Sequence, residues 1–290
     1  MNTFLLRDVV NADSSASISD YGAHVLTWTP AGQPPVIWRP AAVQLREGTA
    51  IRGGVPIIFP WFNTGWDGGR PVSKQPKHGF GRVSFWAFDE TAVTDRHVRY
   101  TLDSTDFGDD LLAQLNSGDH PRFHATYDVE IGERIAMTLT VTNDGDEPLT
   151  YEAALHTYLH VGDVERIAVH GLESCDYLDN TQPGVPHCPA TGEPITFDGM
   201  VDRTYLRGDE ADAPITIDDP VLGRTIEIIN AGAPQAVVWN PGQAAGDAMG
   251  DLAVGEWRGF VCVEAVARLD RSVTLAPGQT HTLSQTLSVR

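Results

Sequence analysis

Hydrophobic and polar residues alternate along much of the chain with the period of two that β-strands require, not the period of 3.6 of helices. In residues 135–142, Ile, Met, Leu and Val occupy one face and Ala and Thr occupy the other, and residues 283–289 repeat the pattern after a Pro-Gly turn. Half-buried strands of this kind are typical of antiparallel sheets. Further strands are predicted over residues 22–29, 98–102, 126–131, 149–160, 224–229, 236–240 and 259–267.

Helical periodicity is confined to one short segment. In residues 106–116, Leu111, Leu112 and Leu115 follow an acidic start, which predicts a short helix. Elsewhere, turns rich in Gly, Pro, Asn and Asp separate the strands, which predicts an all-β fold, a large antiparallel β-sandwich. Because strand patterns continue to the end without a linker or internal repeat, residues 1–290 are predicted to form a single domain.

Composition and charge exclude several classes of protein. With 20 Lys and Arg against 39 Asp and Glu, the net charge is -19, which argues against nucleic-acid binding. The most apolar run, VPIIFPWF from Val55, is far shorter than the roughly 18 residues of a membrane span, and the first residues lack the apolar core of a signal peptide. Cys175, Cys188 and Cys262 lack a CxxC spacing. We therefore expect a cytoplasmic protein with reduced thiols and neither nucleic-acid nor membrane partners.

The cations suggest a local anion site in this acidic chain. Residues 70–82, RPVSKQPKHGFGR, contain four cations, a histidine and no acid, and both lysines of the chain, Lys74 and Lys77, lie there. Such a loop can capture a small anion through charge-assisted hydrogen bonds, or it can be a solvated loop that offsets nearby acids. Upstream, Arg52 precedes two glycines in IRGGVPIIFPWF, so a tight turn could present it to a cleft or leave it exposed.

A candidate acid and a candidate base lie in two apolar strands. In YEAALHTYLH, alternation places His156, Tyr158 and His160 on one face that could line a cavity. The two histidines would stand about 13 Å apart in a strand, so a shared metal ion is rejected. Glu264 lies in FVCVEAVA, where a carboxylate is costly unless it is partnered or serves a functional cleft. Burial would raise its pKa towards the range of a useful base.

Two other residues carry less specific chemistry. Asp202, in DGMVDRTY, could form a loop salt bridge with Arg203 or accept hydrogen bonds from sugar hydroxyls. Trp239, in VVWNP, could offer a stacking surface or belong to the core. Neither segment decides between its two interpretations.

Six motifs follow one another in an order that is typical of one group of enzymes: IRGGVPIIFPWF, KHGFGR, ALHTYLHVGDV, VDRTY, VVWNP and FVCVEAVA. The chain resembles the glucose-6-phosphate 1-epimerases, the hexose-6-phosphate mutarotase branch of the aldose 1-epimerase family, from about residue 20 to its end. The resemblance implies a β-sandwich of the galactose-mutarotase type and no metal or organic cofactor. It also implies interconversion of the α and β anomers of an aldose 6-phosphate.

The resemblance further implies a role for individual residues. His156 is the implied acid, which protonates the ring oxygen, and Glu264 is the implied base, which takes the proton of the C1 hydroxyl. We expect the neighbouring carboxylate to hold the pKa of His156 near or above its reference of about 6.5. The implied substrate-binding residues are Arg52 and Arg82 for the phosphate, Lys77 and His78 beside them, Asp202 for the sugar, and Trp239.

Other functions remain open at this point. An aldose 1-epimerase acting on unphosphorylated sugars would not need the cationic loop, and a non-catalytic carbohydrate-binding protein on the same fold would need neither His156 nor Glu264. A glycoside hydrolase would need two opposed carboxylates, for which Asp202 and Glu264 are the candidates. The expected partner is a small-molecule sugar phosphate, and the expected state is a monomer.

Overall fold

The strands in the computed structural model, which describes residues 4–118, 120–208 and 211–290, are short and pair in antiparallel fashion. They are β1 (Leu6–Val10), β2 (Ser14–Ser19), β3 (His24–Pro30), β4 (Ile57–Ile58), β5 (Trp66–Asp67), β6 (Arg70–Pro71), β7 (Ala87–Phe88), β8 (His97–Asp103), β9 (Phe123–Ile131), β10 (Ile135–Asn143), β11 (Leu149–Tyr151), β12 (Ala153–Leu155), β13 (Tyr158–His160), β14 (Ala168–His170), β15 (Tyr177–Asp179), β16 (His187–Cys188), β17 (Val201–Leu206), β18 (Ile215–Asp219), β19 (Arg224–Ala231), β20 (Gln235–Asn240), β21 (Phe260–Ala267), β22 (Val273–Leu275) and β23 (Thr280–Val289). The strands predicted from alternation are present, with ends within a few residues of the predicted bounds, except that residues 149–160 form three short strands, β11, β12 and β13, instead of one.

Helices contribute little to the fold. The α-helices in the described ranges are α1 (Asp109–Leu112) and α2 (Gly242–Gly246), and 3-10 turns cover Gly81–Val83, Ser104–Asp106, Val164–Arg166, Glu256–Gly259 and Leu269–Arg271. The helix predicted over residues 106–116 is present as α1 but is shorter than predicted, because its apolar residues hold only one turn against the core. Across the described ranges, none of the helices has the length and apolarity to cross a bilayer.

Two large sheets organise the molecule. One has the order β14-β18-β19-β23-β10-β9-β8-β7, and the other has the order β16-β15-β17-β20-β21-β12-β4, with β13 pairing β21 beyond the end of β12. Smaller sheets are β1-β2-β3, β11-β22 and β5-β6. Residues of β9 and β10 alternate between buried and half-buried, as the sequence pattern predicts for strands with one face on a core.

The apolar faces of the two large sheets share one core. Val129 and Leu139 of the first sheet and Val263 and Ala265 of the second belong to the same cluster of buried side chains. All eight residues of β21 are buried, so this strand lies at the centre of the molecule with both of its faces covered. The shared core favours the single-domain interpretation, which stays a prediction.

The buried side chain of Gln285 links the two large sheets behind β21, the central strand of the second sheet. Oε1 of Gln285, on β23, accepts a hydrogen bond from Thr157 Oγ1 at 2.5 Å, and its Nε2 donates to the carbonyl oxygen of Val263 at 3.1 Å. Thr157 follows His156 in the chain, and Val263 precedes Glu264. Gln285 therefore fixes the spacing between the two segments that carry the predicted acid and base.

We expect Gln285→Met to lower the free energy of unfolding by about 1–3 kcal/mol, because the Thr157 hydroxyl and the Val263 carbonyl then lose a buried partner. Methionine keeps the approximate volume of the side chain. Urea denaturation measures the change, and Thr286→Ala, on the outward face of the same strand, is the matched control, expected within about 0.5 kcal/mol of the parent. Equal stability of the two variants would contradict the bridging role.

Candidate active site

A cavity of about 450 Å³ opens over strands β17, β20 and β21 of the second large sheet. Its rim is formed by the loop at Arg52, by the cationic loop and by a loop around Asp251. The residues singled out from the sequence all line it: Arg52, Lys77, His78, Arg82, His156, Asp202, Trp239 and Glu264.

A break between two strands sets the direction of His156. Strand β12 pairs with β21 through Leu155 and Ala265, and β13 pairs with it through Tyr158 and Cys262. The two residues between, His156 and Thr157, leave the ladder opposite Glu264, so the predicted continuous strand over residues 149–160 is wrong there. The backbone N–H of His156 donates instead to the carbonyl oxygen of Pro56 at 3.0 Å.

The predicted acid and base lie opposite each other at the break. Nε2 of His156 lies 3.4 Å from Oε1 of Glu264, and the His156 ring stacks on Tyr158 with centroids 5.1 Å apart. His160, predicted on the same face, is turned elsewhere, since its Nδ1 lies 3.1 Å from the carbonyl oxygen of Pro35. The alternation of the sequence therefore holds for His156 and Tyr158 as cavity residues but not for His160.

Glu264 is almost completely removed from water. Its side chain is 1% exposed, and Oε2 has no hydrogen-bond partner among the described residues. Burial raises the pKa of Glu264 well above its usual value, and the nearby carboxylate of Asp202 raises it further, while Arg268 and Arg82 oppose the shift. The carboxyl group is therefore a much stronger base than an exposed glutamate.

The sequence analysis expected a protonated His156, and this expectation is wrong for the free protein. Burial, followed by the positive charges of Arg82 and Arg52, lowers the pKa of His156 to about 3. These effects outweigh the neighbouring carboxylate, which the sequence analysis expected to hold the imidazole protonated. Because the pKa of Glu264 is raised and that of His156 is lowered, burial favours the neutral form of both groups.

Arg52 reaches the cavity from its Gly-Gly turn. Its Nε donates to Asp251 Oδ2 at 2.9 Å, and its Nη1 donates to the hydroxyl of Tyr158 at 2.8 Å. Since Tyr158 stacks on His156, Arg52 is tied to the wall that holds the imidazole. The cleft interpretation of Arg52 is therefore the one that the geometry favours over an exposed loop residue.

Only part of the cationic loop, residues 70–82, lines the cavity. Arg82 and Lys77 line the cavity, and Nη2 of Arg82 donates to the carbonyl oxygen of Lys77 at 2.8 Å. Burial and the charge of Arg52 lower the pKa of Arg82 to about 10, so the guanidinium stays charged at neutral pH. Lys74 lies elsewhere, because its Nζ donates to Asn116 Oδ1 at 2.7 Å.

A left-handed backbone turn presents His78. His78 has φ 66° and Gly79 has φ 73°, and a Cβ at Gly79 would lie 2.1 Å from the carbonyl oxygen of Phe59. Glycine is therefore required there. Nδ1 of His78 accepts a hydrogen bond from the backbone N–H of Asn63 at 3.2 Å, and burial, then the charge of Arg82, lowers the pKa of His78. The neutral ring carries its proton on Nε2.

Asp202 and Trp239 form the opposite wall. Asp202 lies in strand β17 and accepts a hydrogen bond from Asn180 Nδ2 at 2.8 Å, while Arg203 points to the other face and lies 4.8 Å from the ring centroid of Tyr177. The loop salt bridge considered for Asp202 is therefore wrong. Trp239 meets the His156 ring edge-on at 5.9 Å and is a half-buried wall of the cavity, not a core residue.

Sequence reasoning missed several polar residues that line the cavity, among them Asp251, Asn180 and Arg268. Asp251 and Asn180 lie in turns that carry no local pattern, and each is linked to a predicted residue, Arg52 or Asp202, across at least 20 positions. Arg268 gave a usable signal, because it follows the buried strand of Glu264 at the end of an apolar run.

Comparisons with known proteins agree with this fold and site. Residues 8–288 match the family described as aldose 1-epimerase. Proteins provisionally named glucose-6-phosphate 1-epimerase are 32% identical in Salmonella typhimurium (87% of this chain, 79% of the relative) and 30% identical in Cenchrus ciliaris (91% and 78%). The crystal structure of a provisionally described mutarotase from Salmonella typhimurium superposes with a TM-score of 0.82 at 30% identity, over 100% of this chain and 91% of that one, which confirms the mutarotase-type β-sandwich. The chain therefore belongs to the aldose 1-epimerase family.

Proposed function

We propose that the chain interconverts the α and β anomers of an aldohexose 6-phosphate, with glucose 6-phosphate as the preferred substrate. The observation that carries the proposal is a buried His156–Glu264 pair, 3.4 Å apart, in the same cavity as the cations Arg52, Lys77 and Arg82. Ring opening needs one group to take a proton and another to give one, and a phosphate needs cationic donors. The names of the two relatives support the same substrate.

The mechanism follows from the positions of the pair. The carboxylate of Glu264 takes the proton of the C1 hydroxyl while protonated His156 donates its proton to the ring oxygen. The bond between C1 and the ring oxygen breaks, and the open-chain aldehyde forms. Rotation about the C1–C2 bond exposes the other face of the aldehyde, and the reverse proton transfers close the ring as the other anomer. The pair ends each turnover in the protonation state in which it began.

Substrate binding prepares the pair for this chemistry. Burial, followed by the positive charges of Arg82 and Arg52, disfavours a charged His156 in the free protein. A phosphate dianion bound by these two arginines offsets their positive charge. The pKa of His156 therefore rises on binding, and the proton moves from Glu264 to His156, which produces the carboxylate and imidazolium that ring opening requires.

We expect inorganic phosphate to shift the His156 ring signals towards the protonated form. In the free protein a pKa of about 3 keeps His156 neutral between pH 5 and 7. Bound phosphate removes part of the arginine effect, so the pKa moves upward and a protonated fraction appears in this range. Proton NMR titration of the histidine signals measures this, with His156→Asn to assign the resonance. Unchanged His156 signals at saturating phosphate would contradict the coupling.

The direct test is NMR exchange between the anomers of glucose 6-phosphate at catalytic protein concentration, with free glucose and free galactose run in parallel. Acceleration confined to the phosphorylated sugar supports both the chemistry and the phosphate recognition. Acceleration of the free sugars to the same extent identifies a general aldose 1-epimerase. Acceleration of none of them favours a non-catalytic carbohydrate-binding protein, and His156→Asn controls for non-specific catalysis by the protein surface.

Three sequence-based expectations accompany this proposal. An acid and a base suffice for ring opening, so we propose that the reaction uses no metal or organic cofactor. The cytoplasmic location and the monomeric state stay predictions. Light scattering at catalytic concentration measures the second of these.

A further inference from the structure

Arg268 is a buried cation at one end of the cavity. It follows strand β21 directly, four residues after Glu264, and its backbone N–H donates to Gln235 Oε1 at 3.1 Å. The residue is 7% exposed, its guanidinium lies 4.5 Å from the ring centroid of Phe62, and it lines the same cavity as Glu264. The position of Arg268 is therefore fixed by packing, and its polar atoms face the space where a ligand would lie.

The guanidinium has no partner of its own. Asp202 and Glu264 are close enough to favour its charge, yet among the described residues Arg268 makes no ion pair within 4.0 Å and no side-chain hydrogen bond, and its buried Nε is unsatisfied. Glu152, the other nearby acid, already accepts hydrogen bonds from two backbone N–H groups. Burying a guanidinium is costly unless it is hydrogen-bonded, so a ligand oxygen within the cavity would stabilise Arg268.

Arg268 lies at the end of the cavity away from Arg52. Arg52 is bonded to Tyr158, which pairs with Cys262 on β21, and Arg268 lies six residues farther along the same chain direction. At about 3.3 Å per residue, six residues separate the backbone of Cys262 from that of Arg268 by roughly 20 Å. Glu264 lies between them, two residues from Cys262 and four from Arg268.

We propose that Arg268 is a substrate-binding residue that donates a hydrogen bond to the C2 hydroxyl of the sugar and makes the site selective for aldoses that carry it. This rests on the proposed function, in which Glu264 meets C1 and the phosphate occupies the Arg52 and Arg82 end. The C2 edge of the ring then faces Arg268. A hydroxyl can accept a hydrogen bond from Arg268 and donate one to Asp202, which lines the same cavity.

The test compares glucose 6-phosphate with 2-deoxyglucose 6-phosphate in the anomer-exchange assay. Arg268→Gln is expected to lower kcat/KM for glucose 6-phosphate by about 10- to 100-fold, the size of a lost hydrogen bond from a charged donor. The same variant is expected to change kcat/KM for the 2-deoxy sugar by less than about 3-fold, since that contact is already absent. Arg203→Gln, on the outward face of β17, is the matched control and should alter neither value.

Each outcome of this comparison either supports or overturns the contact between Arg268 and the C2 hydroxyl. Equal losses for both sugars, or a loss for neither, would overturn the C2 contact. If Arg268→Gln does not fold, Arg268→Lys carries the comparison, because it keeps the charge but places its donor differently and should reduce the preference for glucose 6-phosphate. A wild-type protein that uses both sugars equally overturns the proposal without any variant. A wild-type protein that accelerates neither overturns the proposed function, which is a distinguishable failure.

Discussion

Replacing Glu264 with glutamine is expected to lower the turnover of anomer exchange on glucose 6-phosphate by at least about 100-fold, the lower end of general-base effects. Glutamine has nearly the same shape, but its amide cannot take the C1 proton. The phosphate contacts lie on other residues, so the Michaelis constant is expected to change little. Saturation-transfer NMR measures the exchange rate, and retained turnover would remove Glu264 from the role of base.

The same substitution is expected to leave stability unchanged or to raise it. Oε2 of Glu264 is buried without a hydrogen-bond partner among the described residues, and burial disfavours the charged form of the carboxyl group, a cost that the neutral amide avoids. Glu152→Gln is the matched control, because Glu152 is also buried but accepts hydrogen bonds from the backbone N–H groups of Phe62 and Leu269. We expect it to lose about 1–3 kcal/mol of unfolding free energy and to keep turnover while folded. A loss of unfolding free energy in Glu264→Gln, with none in Glu152→Gln, would assign Glu264 a structural role.

The strand pattern was readable from the sequence because each strand needs one face on the core. The period of two in residues 135–142 and 283–289 reappears as β10 and β23, which pair with each other. The break at His156 and Thr157 was not readable, since YEAALHTYLH alternates through it. At this break the Thr157 hydroxyl donates to Gln285, more than 100 positions away, and a local pattern carries no record of such a contact.

The candidate site was readable where the motifs themselves carry its chemistry, as at Glu264, a carboxylate within an apolar strand. The electrostatics of the site could not be predicted from the sequence. The charge of His156 depends on Arg52 and Arg82, which lie more than 70 positions away, and on complete burial. Alternation predicts which side chains share a face but not which cations meet across a cavity. Arg268 was missed although its place after the buried strand gave a signal, because its role depends on the cavity that it lines.

Replacing Arg82 with alanine is expected to raise the Michaelis constant for glucose 6-phosphate by about 10- to 100-fold while changing that for free glucose by less than about 3-fold. The guanidinium is charged and lines the cavity, so it can donate charge-assisted hydrogen bonds to a bound phosphate. Anomer-exchange kinetics on the two sugars measure the difference. Arg258→Ala is the control, because Arg258 pairs with Asp163 and Glu165 at the surface.

Loss of Arg82 also has a predictable effect on the acid. Among the neighbouring charges, that of Arg82 disfavours protonated His156 most strongly. Removal of Arg82 therefore raises the pKa of His156 in the free protein. Turnover of free glucose in Arg82→Ala is therefore expected to equal or exceed that of the parent, because the substrate no longer needs a phosphate to offset this charge. An equal loss on both sugars would assign Arg82 to the folding of the cationic loop, through its bond to the Lys77 carbonyl, instead of to phosphate recognition.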